Sequence, residues 1–227
     1  MKAFVLAAGM GNRLQPYTSL IPKPLLPVGG KPCIRYILNR LIKQGFEDIV
    51  VRVNNSHLSM FKHELRDLDI SFSISSKPLG TAGEIFNCRD LIDDDFLIYY
   101  ADELTDINLK KLVEFHNSEK DGLATLALVN QFPLPVGLIK LKGSEVQSIE
   151  EKPSISISFW VGIAILRKEI LDYVNLGDDF ARDVFPRVLK EGRKIYTKTF
   201  ETEWIDIGNI SRYRHANELA EKGLINS

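Results

Sequence analysis

The sequence lacks the features that mark several large classes of protein. Its 227 residues carry 29 lysines and arginines against 30 aspartates and glutamates, so the basic excess of a general nucleic-acid binder is missing. No apolar run approaches the length of a membrane span. The short apolar stretch Lys2–Ala8 ends in glycine and has no cleavage-site pattern. These absences predict a cytoplasmic protein with no nucleic-acid partner and no membrane partner.

Cysteine is scarce, and two familiar phosphate-binding motifs are missing. Cys33 and Cys88 lie far apart without metal-type spacing, which predicts two reduced thiols. The four histidines show no metal-ligand spacing, which predicts structural or surface roles. No Gly-x4-Gly-Lys-Ser/Thr string follows the first apolar run, which excludes a P-loop there. The dinucleotide fingerprint Gly-x-Gly-x-x-Gly fails because Leu14 takes its third glycine position.

The first thirty-two residues hold the strongest signal that is present. A predicted buried strand, Lys2–Ala7, runs directly into Gly9 and Gly11, which Arg13 and then Lys23, between two prolines, follow. Glycines let backbone amides approach an anion. Arginine offers a planar fork for phosphate oxygens, and lysine a point charge that the flanking prolines help to fix. Each feature alone also describes an ordinary turn or a surface cation, but together they predict a triphosphate site.

The stretch LAAGMGNRLQPYTSLIPKPLLPVGGKP resembles the N-terminal signature of the sugar-1-phosphate nucleotidyltransferases, the nucleotide-sugar pyrophosphorylases. Asn12 departs from the threonine that is usual there, and the resemblance extends from Met1 to about Ala220. It implies transfer of a nucleoside monophosphate from an NTP to a sugar 1-phosphate, with release of pyrophosphate. The family's catalytic cations match Arg13 and Lys23. Its nucleotide-phosphate contacts match residues in the glycine turn, which are Ala8, Gly9 and Gly11.

Three further strings resemble elements of the same family. PLGTAGE is similar to the base-recognition loop, which makes Gly80 and Thr81 nucleotide contacts, although Thr81 alone also suits a helix N-cap. FLIYYAD ends in Asp102, and EWIDIGN contains Asp206; the resemblance makes these two aspartates Mg²⁺ ligands. Mg²⁺ bound by one or two carboxylates plus phosphate oxygens suits such a pair, although an isolated Asp206 also suits a helix cap.

The acceptor side is implied by Glu-Lys-Pro and by a preceding glycine. Glu151 is expected to hold sugar hydroxyls, Lys152 the sugar phosphate, and Gly137 to let the sugar approach the backbone; an exposed, charged strand end is the plainer interpretation. Two departures concern the substrates. Ala101 replaces a glycine before Asp102, and Trp160 stands where many relatives have a sugar-contacting asparagine. Glu103 is not nominated, because alternation along a strand points it away from Asp102.

Hydrophobic periodicity predicts an α/β fold, a Rossmann-like three-layer sandwich with a mixed, mostly parallel central sheet. The strands predicted after Lys2–Ala7 are Asp48–Val53, Ile70–Ser75, Phe96–Tyr100, Leu123–Asn130, Val136–Leu141, Val146–Glu150, Phe159–Leu166 and Lys194–Phe200. The predicted helices are Pro32–Gln44, Ser56–Leu68, Thr81–Leu91, Phe180–Glu191 and Ser211–Lys222. The acidic run Asp93–Asp95 is predicted to be a solvated turn. We expect residues 1–227 to form one nucleotidyltransferase domain without the left-handed β-helix domain that many relatives add.

Three alternatives remain open at this stage. One is a homologue that binds nucleotide sugar without catalysis, as a regulatory subunit. Another is a cytidylyltransferase for a non-sugar phosphate such as phosphocholine, and the last is a non-enzymatic interaction domain. PLGTAGE is more similar to guanylyl- and uridylyl-type relatives, which favours GTP with mannose 1-phosphate or a related sugar phosphate. A homo-oligomer is possible.

Overall fold

A mixed central sheet of seven strands organises the computed structural model, which describes residues 1–133, 136–151 and 154–223. The strands, in chain order, are β1 (Lys2–Leu6), β2 (Pro27–Val28), β3 (Lys31–Pro32), β4 (Ile49–Asn54), β5 (Ser71–Ser75), β6 (Phe96–Tyr100), β7 (Glu103–Thr105), β8 (Gly122–Pro133), β9 (Gly137–Lys142), β10 (Glu145–Glu151), β11 (Ser154–Leu166), β12 (Lys194–Thr199) and β13 (Trp204–Asp206). The order across the sheet is β12-β8-β11-β6-β1-β4-β5. Only β11 runs antiparallel to its neighbours in this sheet. The three remaining pairs, β2–β3, β7–β13 and β9–β10, form small antiparallel sheets.

Helices cover both faces of the central sheet. They are α1 (Cys33–Lys43), α2 (Leu58–Glu64), α3 (Thr81–Phe86), α4 (Leu109–Ser118), α5 (Phe185–Lys190) and α6 (Ile210–Glu221). Alternate residues of β1 enter two separate cores: Ala3 and Val5 pack with α1 residues on one face, while Phe4 packs with α3 and α5 residues on the other. A parallel strand buried on both faces needs a continuous apolar run, which β1 and β6 both have.

The predicted fold class is confirmed, and most element boundaries agree within a few residues. The sequence prediction missed α4, together with the short strands β7 and β13. It also extended one helix too far, because α3 ends at Phe86 and a separate 3₁₀ turn covers Arg89–Leu91. The segment Phe180–Val184 forms a π-helical turn before α5 begins.

No helix in the described part of the chain is long and apolar enough to cross a membrane. Cys33 and Cys88 are both buried free thiols. Burial raises the pKa of each thiol above its ordinary value. Both cysteines therefore behave as small core residues in this fold.

The acidic run is not a wholly solvated turn, which corrects the prediction made from its composition. Asp95 accepts a hydrogen bond from Arg167 Nη1 at 3.0 Å and lies 3.2 Å from Nε2 of the buried His116. His116 Nδ1 lies 2.9 Å from the Thr125 hydroxyl. Because a carboxylate only accepts, His116 Nε2 carries a proton, and in the neutral ring Nδ1 then accepts from the Thr125 hydroxyl. This network fixes the start of β6 against α4 and β8.

The network predicts a pH-dependent loss of stability. Burial, assisted by the charge of Arg167, lowers the pKa of His116 below its ordinary 6.5, although Asp95 opposes the shift. Near pH 6.5 the His116 imidazole therefore binds a proton in the unfolded chain but not yet in the folded chain. The free energy of unfolding consequently falls as the pH drops below about 6.5. We expect denaturant unfolding at pH 7.5 and pH 5.5 to show a weaker pH dependence for His116→Gln. The exposed His63→Gln serves as the control, and equal slopes for wild type and His116→Gln would contradict the prediction.

Candidate functional site

A cavity of about 250 Å³ opens at the carboxyl ends of β1 and β6. This edge of an open α/β sheet is where such folds bind ligands. The residues that line it come from the glycine turn, the proline-flanked loop and two distant segments: Leu6, Ala7, Gly9, Gly11, Asn12, Arg13, Lys23, Pro24, Asp102 and Gly208. The structure thus brings together five of the predicted site residues, while the predicted Ala8 is buried beside the cavity without lining it.

The glycine turn has a geometry that only glycine accommodates at one of its two positions. Gly11 adopts a left-handed backbone with φ 65°, and a Cβ there would lie 2.9 Å from Thr18 Cγ2 and 3.2 Å from Lys23 Cβ. Its carbonyl accepts hydrogen bonds from the Thr18 hydroxyl and from the Leu14 amide, each at 2.9 Å. A Cβ at Gly9 would meet no atom within 4 Å. Gly11 therefore shapes the turn, whereas Gly9 leaves open space beside the cavity.

The two predicted cations differ in their surroundings. Arg13 is exposed and lines the cavity. Lys23 is only 8% exposed, so the interpretation of a solvated surface lysine is wrong. A buried ammonium needs an anionic partner, and Lys23 Nζ forms an ion pair with the carboxylate of Asp102. The exposed guanidinium of Arg13 and the buried, paired ammonium of Lys23 therefore face the same space.

Asp206 lies at the end of β13, where a basic residue that the prediction missed pairs with it. Its carboxylate forms an ion pair with Arg212 and accepts a hydrogen bond from the Gly208 amide at 3.2 Å. It is not the cap of α6, because the Asn209 side chain accepts the Arg212 amide at that position. A cation in the first turn of a helix opposes the helix dipole, so Arg212 was a detectable sign of a nearby carboxylate.

Glu103 is a third carboxylate at this place, and the sequence argument passed over it. It begins β7, stands opposite Asp206 in the β7–β13 ladder and accepts a hydrogen bond from Trp204 Nε1 at 2.6 Å. Burial is the main cause that raises its pKa well above the ordinary range, and the charges of Asp102 and Asp206 add to the shift. After β6 the chain leaves the central sheet and enters the separate β7–β13 sheet. Glu103 therefore lies opposite Asp206 and not on the other face of the central sheet.

The carboxylates can be compared with what a divalent cation requires. Within residues 1–133, 136–151 and 154–223, no group of three or more His, Cys, Asp or Glu side chains is arranged to hold a metal. Asp102 and Asp206 each have a cationic partner instead. Mg²⁺ needs only one or two carboxylates when phosphates and water complete its shell. These residues fit an ion that arrives with a triphosphate better than a site formed in advance.

Gly80 and Thr81 do not line the cavity; Gly80 is the N-cap of α3 and Thr81 is its first residue. Gly80 has φ 73°, and a Cβ there would lie 2.3 Å from the Asp178 carbonyl oxygen, so only glycine fits. The alternative interpretation of Thr81 as a helix N-cap is wrong, since Gly80 holds that position. The Thr81 hydroxyl instead donates to Asp179 at 2.8 Å and accepts from the Phe180 amide at 3.0 Å.

The predicted sugar contacts lie on a separate exposed hairpin. Gly137 and Glu151 stand opposite each other in the β9–β10 ladder, and a Cβ on Gly137 would lie 3.3 Å from Glu151 Oε2. The hairpin brings these two residues together, although neither lines the cavity. Lys152 lies outside the described residues.

The two departures from the family pattern are both absorbed by the fold. Ala101 is 1% exposed and packs in the core cluster that contains Cys33, so its methyl group adds to the core and not to the cavity lining. The Trp160 indole N–H donates to the Ile163 carbonyl at 2.9 Å, and its ring packs edge-on against Tyr100 and Phe185. That N–H is therefore not free to replace the hydrogen bond of an asparagine.

Comparison with known proteins gives a consistent family. The family model described as nucleotidyl transferase matches residues 2–223. The chain is 32% identical to the UTP–glucose-1-phosphate uridylyltransferase of Synechocystis, over 95% of this chain and 62% of that protein. It is 29% identical to the catalytic subunit beta of mannose-1-phosphate guanylyltransferase from Xenopus tropicalis, over 92% of this chain and 61% of that protein. The chain thus spans about three-fifths of the length of these curated relatives.

Solved structures show the same fold over the whole chain. A putative glucose-1-phosphate thymidylyltransferase from Bacillus anthracis, in complex with a sucrose, matches with a TM-score of 0.79 at 25% identity, covering 100% of this chain and 97% of that one. The Yersinia pseudotuberculosis protein HddC, complexed with GMP-PN, matches with a TM-score of 0.74 at 25% identity, covering 96% of this chain and 98% of that one. The expected resemblance is confirmed at the level of family and fold.

Alanine substitutions at the two glycines of the turn should differ in their effect on stability. Gly11→Ala forces a side chain into a left-handed position and against Thr18 and Lys23, so we expect its free energy of unfolding to fall by about 1–3 kcal/mol. Gly9→Ala adds a methyl group in open space and should unfold like wild type, yet weaken triphosphate binding. Thermal unfolding and calorimetric titration with tripolyphosphate test both. A Gly9→Ala protein that is destabilised, or a Gly11→Ala protein that is not, contradicts this geometry.

Proposed function

The chain belongs to the nucleotidyl transferase family, and from that premise we propose that it transfers a nucleoside monophosphate from an NTP to a sugar 1-phosphate. The observation that carries the proposal is the cavity in which Gly9, Gly11, Arg13, Lys23 and Asp102 meet. It combines open backbone, two cations and one carboxylate, which is the equipment that a triphosphate and its counter-ion require. The fold alone would not carry the proposal, because one fold serves many chemistries.

In the proposed reaction an oxygen of the sugar phosphate attacks the α-phosphorus of the NTP. The new P–O bond forms as the bond to the bridging oxygen breaks, and pyrophosphate leaves with that electron pair. No covalent intermediate with the protein is needed, so catalysis rests on positioning and on stabilisation of developing charge. Backbone amides of the glycine turn hold phosphate oxygens. Arg13 and Lys23 then stabilise the charge that develops on the leaving pyrophosphate.

Lys23 supports this role through its present partner. A buried lysine already held by Asp102 has little conformational entropy left to lose when a phosphate replaces or joins that carboxylate. The same exchange would release Asp102. We infer that Asp102 and Asp206 hold Mg²⁺, which when bound would screen the two anionic reactants from each other.

The acceptor site is proposed from the hairpin. Gly137 and Glu151 face each other there, so Glu151 would accept hydrogen bonds from sugar hydroxyls where Gly137 leaves room. Lys152 would bind the sugar phosphate. The Trp160 N–H already donates a hydrogen bond to the Ile163 carbonyl. We therefore propose that the Trp160 ring contributes only an aromatic surface near the acceptor. Cytoplasmic location and possible homo-oligomerisation stay predictions.

The choice of substrates is also a proposal. Proteins similar to this chain include a uridylyltransferase that uses UTP and a guanylyltransferase by name, and the PLGTAGE loop favours GTP with mannose 1-phosphate or a related sugar phosphate. A grid of NTPs against sugar 1-phosphates and phosphocholine, read by pyrophosphate release, tests the activity. Turnover with phosphocholine alone would favour the cytidylyltransferase alternative. Nucleotide-sugar binding without any turnover would favour a regulatory homologue.

The mechanism predicts large losses of turnover without loss of the fold. Arg13→Ala removes an exposed fork, and Asp206→Ala removes a carboxylate, so each should lower kcat by about 10²–10³-fold. Circular dichroism and thermal unfolding check that both variants fold.

Matched substitutions on other surfaces serve as controls for this pair. Arg89→Ala removes an exposed arginine beside Asp90, and Asp121→Ala removes an exposed aspartate beside Lys194. Both should keep the wild-type kcat. Near wild-type turnover in Arg13→Ala and Asp206→Ala would reject the proposed mechanism.

A further inference from the structure

A buried ion pair lies beside the cavity without lining it. Arg52, on β4, is fully buried, and Glu84, on α3, is 6% exposed. Arg52 Nε donates to Glu84 Oε2 at 2.5 Å, and Arg52 Nη1 donates to the Ser73 hydroxyl at 2.8 Å. Arg52 Nη2 is buried with no hydrogen-bond partner within the described parts of the chain. Neither residue has a role in the proposed reaction so far.

The second oxygen of Glu84 holds both ends of a short loop. Glu84 Oε1 accepts from the Ser75 hydroxyl at 3.2 Å and from the Leu79 amide at 3.3 Å. Ser75 ends β5, and Leu79 directly precedes Gly80. We refer to residues 76–80 as the 76–80 loop. The Glu84 carboxylate therefore fixes both the start of this loop, at Ser75, and its end, next to Gly80.

The far end of the loop is tied to a different segment. The Leu79 carbonyl accepts the Gly177 amide at 2.9 Å, and the Asp178 carbonyl accepts the Ala82 amide at 3.0 Å. The Thr81 hydroxyl adds its bond to Asp179. The position of Gly80 and Thr81 is thus set from two sides, by Glu84 through the Leu79 amide and by residues 177–179.

Strand register places the pair next to the cavity. Arg52 stands opposite Leu6 in the parallel β1–β4 ladder, and Leu6 lines the cavity. Residues in register share a face of the sheet, so the Arg52 side chain runs beside Leu6 towards α3. A nucleotide with its phosphates on the glycine turn can extend its base towards this side, where the 76–80 loop lies.

The energetics argue that the pair serves geometry more than stability. Burial of two charges is costly, and apolar replacements of buried ion pairs are often neutral or stabilising. An apolar pair, however, cannot accept hydrogen bonds from Ser75 and Leu79 at once. The unpartnered Nη2 of Arg52 adds a further cost that a purely structural pair would not need.

We propose that Arg52 and Glu84 are positioning residues that fix the 76–80 loop and so determine which NTP base the protein accepts. The inference rests on the proposed function in taking Gly80 and Thr81 as base contacts. Its readout is nucleotide binding, so it does not depend on turnover. The inference gives the Arg52–Glu84 pair a role in discriminating among the NTP bases. It gives the pair no role in binding the phosphates or the sugar.

The test compares Glu84→Gln and the double variant Arg52→Met/Glu84→Leu with wild type. Dissociation constants for GTP, UTP, dTTP, CTP and ATP are measured by calorimetry, with thermal unfolding in parallel. We expect both variants to bind the preferred NTP about tenfold more weakly, which corresponds to about 1.4 kcal/mol. Binding of the disfavoured NTPs and of tripolyphosphate should change by less than about twofold, because the phosphate contacts remain. The double variant should stay folded, because apolar replacement of a buried ion pair offsets the loss of the acceptor for Ser75 and Leu79.

Asp95→Asn is the matched control, because it breaks a half-buried pair with Arg167 at the opposite end of β6. It should lower the unfolding temperature and leave base preference unchanged. A folded double variant with wild-type base preference overturns the inference, as does an equal loss for every NTP. A wild-type protein without base preference also overturns it. Base preference without pyrophosphate release would instead reject only the proposed function.

Discussion

The ion pair between Lys23 and Asp102 joins the two segments on which the cavity depends. Lys23 follows the glycine turn on a proline-flanked loop, and Asp102 follows the buried strand β6, 79 residues later. A buried ammonium without an anion would be strongly unfavourable, so the loop must close against the end of β6. That closure also brings Arg13 and the turn over the same space. An arriving triphosphate offers Lys23 an alternative anion at the site where it already lies.

Around this pair, three carboxyl groups lie close to two cationic side chains. Asp102, Glu103 and Asp206 converge because β7 follows β6 directly and pairs with β13. Two cations offset them, Lys23 from the proline-flanked loop and Arg212 from α6. Burial and the charges of the two aspartates raise the pKa of Glu103, which favours its neutral form beside the two paired aspartates. Within the described residues these carboxyl groups form no ready-made metal site, so the proposed ion would have to arrive with the substrate phosphates.

Local patterns made the fold predictable, and they also pointed to the segment that lines the cavity. The βα alternation and the Gly9–Lys23 segment are short-range signals, and each appears where the sequence indicated. Helix α4 was overlooked although its local pattern indicates a helix, since Asn108 caps it and Leu109 and Leu112 are buried at helical spacing. Glu103 was missed for another reason, since its place comes from the β7–β13 pairing, which leaves no trace at short sequence separation. Arg212 did leave a local sign, because it lies in the first turn of α6 shortly after Asp206, and that sign was overlooked.

The same contrast separates affinity from selectivity in the proposed site. Phosphates are common to all NTPs, and the groups proposed to bind them are backbone amides and fixed cations in one continuous stretch. A base must be distinguished by shape and hydrogen bonds, which depend on where the 76–80 loop lies. That position follows from Arg52 and Glu84, which the parallel β1–β4 register and α3 bring together beneath it. A sequence motif can therefore identify a nucleotide site while leaving its base open, because selectivity resides in buried tertiary contacts outside the motif.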